Sequence, residues 1–273
     1  MRVVSNLCIF YPCTLSEYYS GNLTKSLKKF SNSNPSKSFS FDIFLFFNKN
    51  SSEEFIDIEN FKSSEFINSI NIHFLNFKVH EDLYISNVKS KQDLNFHIPI
   101  YGLSSGPNLS FFNSLYYLLS NKKKYDHFLL LESDVSFISP HWLDRIIDFC
   151  NKNKFIIAGS KYKGFNKFHH TSQYKDHING VALYKNSFHL YNLLKNCEEY
   201  ILHQVSKNIS FINFDIAINE WVNSDIGKKI MKKHPNIINV DFITNASDPS
   251  DRHKSIDEIL DLHPNTLILH KKD

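Results

Sequence analysis

The chain has 273 residues, with 31 Lys and Arg residues against 28 Asp and Glu residues and a formal net charge of +3. Hydrophobic residues make up 42% and charged residues 22%, which is ordinary globular usage and excludes a disordered or fibrous chain. The balanced charge argues against a nucleic-acid partner. No repeat or long linker divides the sequence, so we predict a single domain over residues 1–273.

The sequence contains four cysteines, Cys8, Cys13, Cys150 and Cys197. Their spacing is that of neither a zinc site nor a redox motif, so free thiols in a reducing compartment are expected. The apolar stretch at Leu7–Tyr11 is too short and too interrupted for a signal peptide or a membrane span. We therefore predict a cytoplasmic protein without a transmembrane segment, which could associate loosely with a membrane surface.

Short apolar runs alternate with longer amphipathic stretches, a pattern that is typical of βαβ units. In chain order, the predicted strands are Val3–Phe10, Phe41–Phe47, Ile72–Val79, His127–Leu131, Phe155–Ala158, Val181–Tyr184 and Leu267–His270. The predicted helices are Ser16–Phe30, Leu109–Leu119, His141–Asn151, Phe188–Val205 and a helix opened by Asn213–Asp215. The pattern predicts the α/β class, with a mostly parallel central sheet and helices on both of its faces.

Two carboxylates, Glu132 and Asp134, directly follow the clearest predicted strand. Residues two apart can point to the same side, and ligands of α/β sheets bind at the carboxyl ends of strands. A cluster of carboxylate oxygens suits Mg²⁺ or Mn²⁺ better than zinc. About three such acid-x-acid triplets are expected by chance, and Asp57–Glu59 is another, so the triplet alone also fits a polar turn after a strand.

The run Phe128–Asp134, with the sequence FLLLESD, resembles the strand and DXD motif of GT-A glycosyltransferases, with Glu in place of the first Asp. This resemblance implies a Rossmann-like nucleotide-diphospho-sugar transferase fold. It also implies that Mn²⁺ or Mg²⁺ is held on the diphosphate of the donor, with Asp134 as a metal ligand. Glu132 and Ser133 are then expected to contact the donor or the acceptor.

Two further stretches resemble motifs of the same family, in the same order along the chain. Ser105–Asn108 resembles the glycine and asparagine turn that opens the helix before the DXD strand. His177–Tyr184 resembles the glycine loop that runs under the donor sugar and the acceptor, which implies binding roles for Asn179 and Gly180. An ordinary turn before a strand is the alternative interpretation of that glycine.

Asn213–Asp215 resembles the acidic motif that supplies the catalytic base in inverting members of the family, which implies this role for Asp215. A plain helix N-cap is the alternative for Asp215, and Glu220 is the rival acid. Five residues along a helix correspond to a rotation of about 140°, so both carboxylates cannot face one site.

The C-terminal residues resemble a further part of the family pattern. His270 matches the position of the histidine that completes the metal shell, which implies that it is a second metal ligand. Lys272, or Lys271, could meet the diphosphate as a point charge, although lysines at a chain end are commonly solvated.

The resemblance implies a metal-dependent hexosyl- or pentosyltransferase that moves a sugar from a nucleotide-diphosphate sugar to a hydroxyl of a glycan or glycoconjugate acceptor. Inversion is the expected course, and retention is left open. About residues 1–134 would bind the nucleotide and about residues 135–273 the acceptor. Two alternatives stand beside this hypothesis: a non-catalytic nucleotide- or glycan-binding module on the same fold, and a metal-dependent phosphohydrolase. The sequence shows no second acidic cluster for the two-metal site of such a hydrolase.

Overall fold

The computed structural model describes residues 6–48, 65–77, 101–120, 124–162, 177–207, 212–233, 236–246, 251 and 253–271. The strands are β1 (Leu7–Cys13), β2 (Phe41–Asn48), β3 (Ile67–Leu75), β4 (His127–Leu130), β5 (Val135–Phe137), β6 (Phe155–Lys161), β7 (Ile178–Lys185), β8 (Asn236–Asn239), β9 (Ile243–Asn245) and β10 (Ile268–His270). The helices are α1 (Leu15–Tyr19), α2 (Asn22–Asn32), α3 (Ser105–Ser120), α4 (Trp142–Lys152), α5 (Phe188–Ser206), α6 (Phe214–Asn223), α7 (Asp225–Met231) and α8 (Ile256–Leu262).

The central sheet has seven strands in the order β3-β2-β1-β4-β7-β6-β8. Every neighbouring pair is parallel except the two pairs that contain β7, which runs antiparallel to β4 and to β6. The prediction of an α/β fold with a mostly parallel sheet is confirmed. Because β7 runs in the opposite direction, its first residues lie at the carboxyl end of β4.

A small second sheet has the order β5-β10-β9. β5 follows β4 after a short turn, and β10 pairs with it antiparallel, so that His270 lies opposite Val135. β9 joins the other side of β10 in parallel. This sheet brings the last described strand of the chain next to the turn after β4.

Helices cover both faces of the central sheet, as the sequence predicts. Alternate residues of β1 belong to different cores: Ile9 and Tyr11 pack with α2 and α4, whereas Cys8 and Phe10 pack with α3, α5 and α6. All eight residues of β2 are buried, which explains the uninterrupted apolar run Ile43–Phe47 within it. The four cysteines are buried free thiols, as expected.

The predicted helix Ser16–Phe30 is instead two helices, because Gly21 interrupts it in a left-handed conformation with φ 77°. Strand ends also differ: β1 runs on to Cys13, and β3 begins at Ile67 rather than at Ile72. The short strands β5, β8 and β9 were not predicted, because three or four residues carry too little periodicity to be recognised.

Candidate metal centre

The carboxyl end of β4 delivers two acidic side chains to one edge of the sheet. The Leu131 amide still donates to the Phe10 carbonyl at 3.0 Å, so the chain leaves the sheet at Glu132. The turn through Asp134 leads directly into β5, where pairing with β10 brings His270 alongside. Two segments from distant parts of the sequence are therefore joined by backbone hydrogen bonds at this edge.

Glu132, Asp134 and His270 form one cluster of metal-ligand atoms, all within 4.8 Å of one another. The Nε2 atom of His270 lies 3.1 Å from Asp134 Oδ1 and 3.3 Å from Glu132 Oε2. The two carboxylates are about one-third exposed, at 32% and 38%, whereas the imidazole is 6% exposed. This arrangement of one buried nitrogen and two accessible carboxylates could hold a metal ion that is open to a ligand on its solvent side.

The electrostatics at His270 favour a positive charge. Burial by itself lowers the pKa of His270, but the negative charge of Glu132 and the contacts with Asp134 outweigh it and raise the pKa to about 10. The buried Nε2 nevertheless makes no well-aligned hydrogen bond with either carboxylate. A cation placed among these three side chains would satisfy the nitrogen and both acids together.

Asn179 completes the surroundings of the imidazole. Its side-chain amide lies 2.8 Å from His270 Nδ1. Nδ1 carries a proton both in the charged imidazole and when Nε2 binds a metal, so in both forms it needs an acceptor. Rotation of the Asn179 amide group replaces the amide nitrogen that faces Nδ1 with the amide oxygen, which supplies this acceptor. The same side chain therefore fits both the protonated and the metal-binding forms of the histidine.

Gly180 leaves the space that Glu132 occupies. A Cβ atom at this position would stand 2.5 Å from Glu132 Oε1, closer than real Cβ contacts. Gly180 is next to Asn179 at the start of β7. The antiparallel direction of that strand therefore places both residues beside the acidic turn, which is the turn that carries Glu132 and Asp134. The sequence-predicted residues Glu132, Asp134, Asn179, Gly180 and His270 are thus brought together, and Glu132 joins the metal-ligand cluster directly.

Ser133 contacts helix α1. Its hydroxyl donates to Glu17 Oε1 at 2.6 Å, while Glu17 Oε2 accepts from the amide and the hydroxyl of Thr14 at 2.8 and 2.9 Å. Glu17 therefore caps α1 and holds the acidic turn at the same time. Sequence reasoning missed this residue, although the Thr14-x-x-Glu17 pattern is a recognisable capping box.

Asp215 lies in the first turn of α6, and Asn213 occupies the N-cap position. Asp215 Oδ1 accepts from the Ile216 amide at 2.8 Å, and Oδ2 lies 3.4 Å from His177 Nε2. The pair is largely buried, with 12% of the aspartate side chain and 5% of the histidine exposed. His177 was not singled out as a partner of Asp215, because nothing in the sequence relates the two positions.

The rival acid, Glu220, faces another part of the molecule. Its Oε2 atom accepts from the hydroxyl of Tyr200 on α5 at 2.8 Å. This agrees with the expected rotation between positions five apart on a helix. Of the two acids, only Asp215 borders the cavity beside α6.

This cavity has a volume of about 200 Å³ and lies between α6 and the sheet strands β6, β7 and β8. Its polar lining comprises Asp215, Asn219 and Asn223 from α6, with Lys161 and Asn239 from the sheet. Its apolar lining is supplied by Ile157, Ile178, Tyr184, Phe214, Ile218, Val222 and Ile237. None of the polar lining except Asp215 was predicted, because side chains from separate elements meet here only through packing.

Tyr184 connects the cavity with the acidic cluster. Its hydroxyl donates to the carbonyl of Gly180 at 3.3 Å, and its ring lines the cavity. Burial raises the pKa of Tyr184, and the negative charges of Asp215 and Glu132 raise it further. Both acids are therefore electrostatic neighbours of one buried hydroxyl.

The remaining predicted residues have other placements. Lys272 lies outside the described residues. Lys271 donates to the carbonyl of Lys254 at 2.5 Å. Asn108, from the predicted glycine and asparagine turn, donates to the carbonyl of Ile212 at 2.9 Å and so fixes the segment that precedes α6.

Comparison with known proteins adds no identification. No protein-family model matches the sequence, and no curated protein matches it. Within the part of the chain that the structure describes, Glu132, Asp134 and His270 are the one group with metal-ligand geometry. Among the same residues, no helix combines the length and the apolar character that crossing a membrane requires.

Proposed function

We propose that this protein is a metal-dependent glycosyltransferase of the GT-A type, which transfers a sugar from a nucleotide-diphosphate donor to an acceptor hydroxyl. The observation that carries the proposal is the group of Glu132, Asp134 and His270 at the carboxyl edge of the sheet, which Gly180 and Tyr184 connect to a cavity bordered by Asp215. This edge is where α/β folds bind ligands. The order of the motifs along the chain supports the same assignment.

In this proposal Asp134 and His270 hold Mn²⁺ or Mg²⁺, and Glu132 lies beside them as a third ligand or as a contact to the donor. The mixture of carboxylate and imidazole groups is compatible with either ion. A bound divalent ion would supply Lewis-acid neutralisation of the charge on the departing diphosphate. Asn179 keeps the imidazole oriented, and Gly180 leaves room for Glu132.

Asp215 is proposed to accept the proton of the attacking hydroxyl, as an inverting reaction requires. One of its oxygens is held by the Ile216 amide, which orients the carboxylate at the cavity wall. General-base assistance of this kind contributes roughly 10²–10⁴-fold to a rate. A retaining reaction would not need this base, so the effect of removing Asp215 also bears on the stereochemical course.

In this proposal the cavity binds a small polar group of the acceptor. Its volume of about 200 Å³ is below the roughly 300–1,000 Å³ of drug-sized sites. Amide groups of Asn219, Asn223 and Asn239 line it together with apolar side chains. Such a mixture suits a sugar ring, which offers hydroxyl groups at its edge and C–H groups on its faces.

A screen of nucleotide sugars for thermal stabilisation, with and without Mn²⁺, tests the proposal most directly. We expect stabilisation by one donor that requires the metal, followed by sugar transfer when acceptors are added. Asp134→Ala should remove both effects while the chain stays folded. The control is Asp148→Ala, which removes an exposed carboxylate paired with Lys152 on α4 and should change neither.

Other results would redirect the assignment. Undiminished turnover in EDTA would contradict metal dependence. Metal-dependent donor binding without any transfer or donor hydrolysis would favour a non-catalytic binding module. Release of inorganic phosphate from simple phosphate esters would favour a phosphohydrolase, although the described residues contain one metal-ligand cluster and not two.

A further inference from the structure

Helix α7 leaves two isoleucines exposed on one side. Ile226 and Ile230 are 67% and 39% exposed, and residues four apart lie on the same helix face. Amphipathic helices of globular proteins ordinarily turn such apolar pairs toward the core. In α7 the core side is formed instead by Met231, which packs against the core, and by the buried Gly227, whose backbone approaches Trp221 so closely that a Cβ atom would meet the Trp221 carbonyl at 2.0 Å.

Four exposed lysines lie in the same segment: Lys228, Lys229, Lys232 and Lys233. Lys229 and Lys233 each follow an exposed isoleucine by three residues and share its side of the helix, whereas Lys228 and Lys232 are two residues away and point elsewhere. None of the four forms an ion pair with another described residue. Asp225 is the single acid of the helix. Lysines in the last turn stabilise a helix through its dipole, but that effect accounts neither for the lysines beyond Met231 nor for the exposed isoleucines.

Helix α8 provides a comparison of opposite charge within the same chain. It has the same length of seven residues, and it also leaves two apolar side chains exposed, Ile256 at 46% and Leu262 at 57%. Its charged residues are all acidic: Asp257, Glu258 and Asp261. The combination of exposed apolar groups with lysines is therefore particular to α7 and is not a general property of the short helices.

We propose that this α7 surface, defined as Ile226, Ile230, Lys229 and Lys233, binds peripherally to an anionic phospholipid surface. Lysines can extend their alkyl stems along the interface and place their ammonium groups among lipid phosphates. Isoleucine side chains can enter the boundary between head groups and acyl chains. The charge of the surface complements that of an anionic membrane, and the proposal does not depend on the glycosyltransferase assignment.

Electrostatic attraction should supply most of the binding free energy. A lysine close to an anionic bilayer contributes about 1 kcal/mol, which corresponds to about a fivefold change in partitioning. Two lysines together correspond to about thirtyfold on the same scale. The effect should weaken as salt is added, because exposed charges are screened over roughly 8–10 Å at physiological ionic strength.

The test is co-sedimentation of the full chain with two kinds of vesicle, phosphatidylcholine alone and phosphatidylcholine with about 30% phosphatidylserine. We expect binding to the mixed vesicles only, weakened by salt. The pair Lys229→Gln and Lys233→Gln should reduce partitioning by about thirtyfold. The pair Ile226→Ser and Ile230→Ser should also reduce it, and circular dichroism should show that both variants stay folded.

The matched control is the double variant Ile256→Ser and Leu262→Ser on α8, which should bind the mixed vesicles like the parent protein. Equal binding to both vesicle types, or full binding by the lysine variant, would overturn the proposal. Retention of the protein on a soluble polyanion such as heparin, without binding to the mixed vesicles, would overturn it as well. Unchanged binding by the isoleucine variant would contradict insertion of the apolar pair.

Discussion

Gly180→Ala is expected to weaken metal binding while the chain stays folded. The added Cβ would lie 2.5 Å from Glu132 Oε1, so one of the two atoms must move. The obstructing atom is the end of a flexible side chain that is 38% exposed, and Glu132 can therefore swing away at little cost. Gly180 is not among the glycines with positive φ, so alanine introduces no backbone strain.

The expected magnitudes follow from these contacts. An altered Glu132 rotamer costs about 0.5–1.5 kcal/mol, and the lower entropy of the unfolded alanine chain offsets about 0.4–1 kcal/mol of that. The free energy of unfolding should therefore change by less than about 1 kcal/mol. Displacing a group that ligates or supports a metal typically lowers affinity about 10–100-fold, and we expect a loss in this range for Mn²⁺.

Gly159→Ala is the matched control. Its Cβ would lie 2.5 Å from Ile178 Cγ2 and 2.8 Å from Ala182 Cβ, which are packed side chains of the neighbouring strand. Overpacking of this kind costs about 1–3 kcal/mol of stability, with Mn²⁺ affinity expected to stay close to that of the parent. Urea unfolding measures the stability, and calorimetric titration with Mn²⁺ measures the metal affinity. Unchanged Mn²⁺ affinity in Gly180→Ala would show that Glu132 does not belong to the metal centre.

Four further predictions concern His270, Asp215 and Ser133. Because the pKa of His270 is raised to about 10 in the metal-free protein, a metal must displace a proton. Mn²⁺ affinity should then rise about tenfold per pH unit between pH 7 and pH 9, and a pH-independent affinity would contradict this ligand. The same raised pKa stabilises the metal-free fold fully below the unfolded pKa of about 6.5, and this stability should be lost as the pH rises toward the folded pKa. Asp215→Asn should lower kcat about 10²-fold or more, with donor affinity nearly unchanged. Glu220→Gln keeps an acceptor for Tyr200 and should leave kcat almost unchanged. The reverse pattern in steady-state kinetics would assign the base to Glu220. Ser133→Ala should cost about 1 kcal/mol of stability through the lost bond to Glu17 and leave Mn²⁺ affinity unchanged; a large loss of affinity would place the hydroxyl in the metal site.

Much of the central sheet could be predicted because its strands have strong local signals. The run Ile43–Phe47 and the run Phe128–Leu131 are apolar throughout and bounded by polar residues, as strands covered on both faces require. The carboxylates that end β4 could be predicted as ligands for the same reason, since strand ends point to a known edge of an α/β sheet. The break at Gly21 was missed because a single left-handed residue leaves the apolar spacing on either side intact.

The sequence by itself determined the fold class, the strand that carries Glu132 and Asp134, and the residue types available for a metal centre. Only the tertiary structure decided that β10 pairs with β5 and brings His270 to those acids, and that the antiparallel β7 sets Gly180 against Glu132. Local patterns arise from contacts between residues close in sequence, and the spacing of apolar residues indicates these contacts. The register of distant strands is set by the packing of the whole chain, and no short stretch of sequence contains that information.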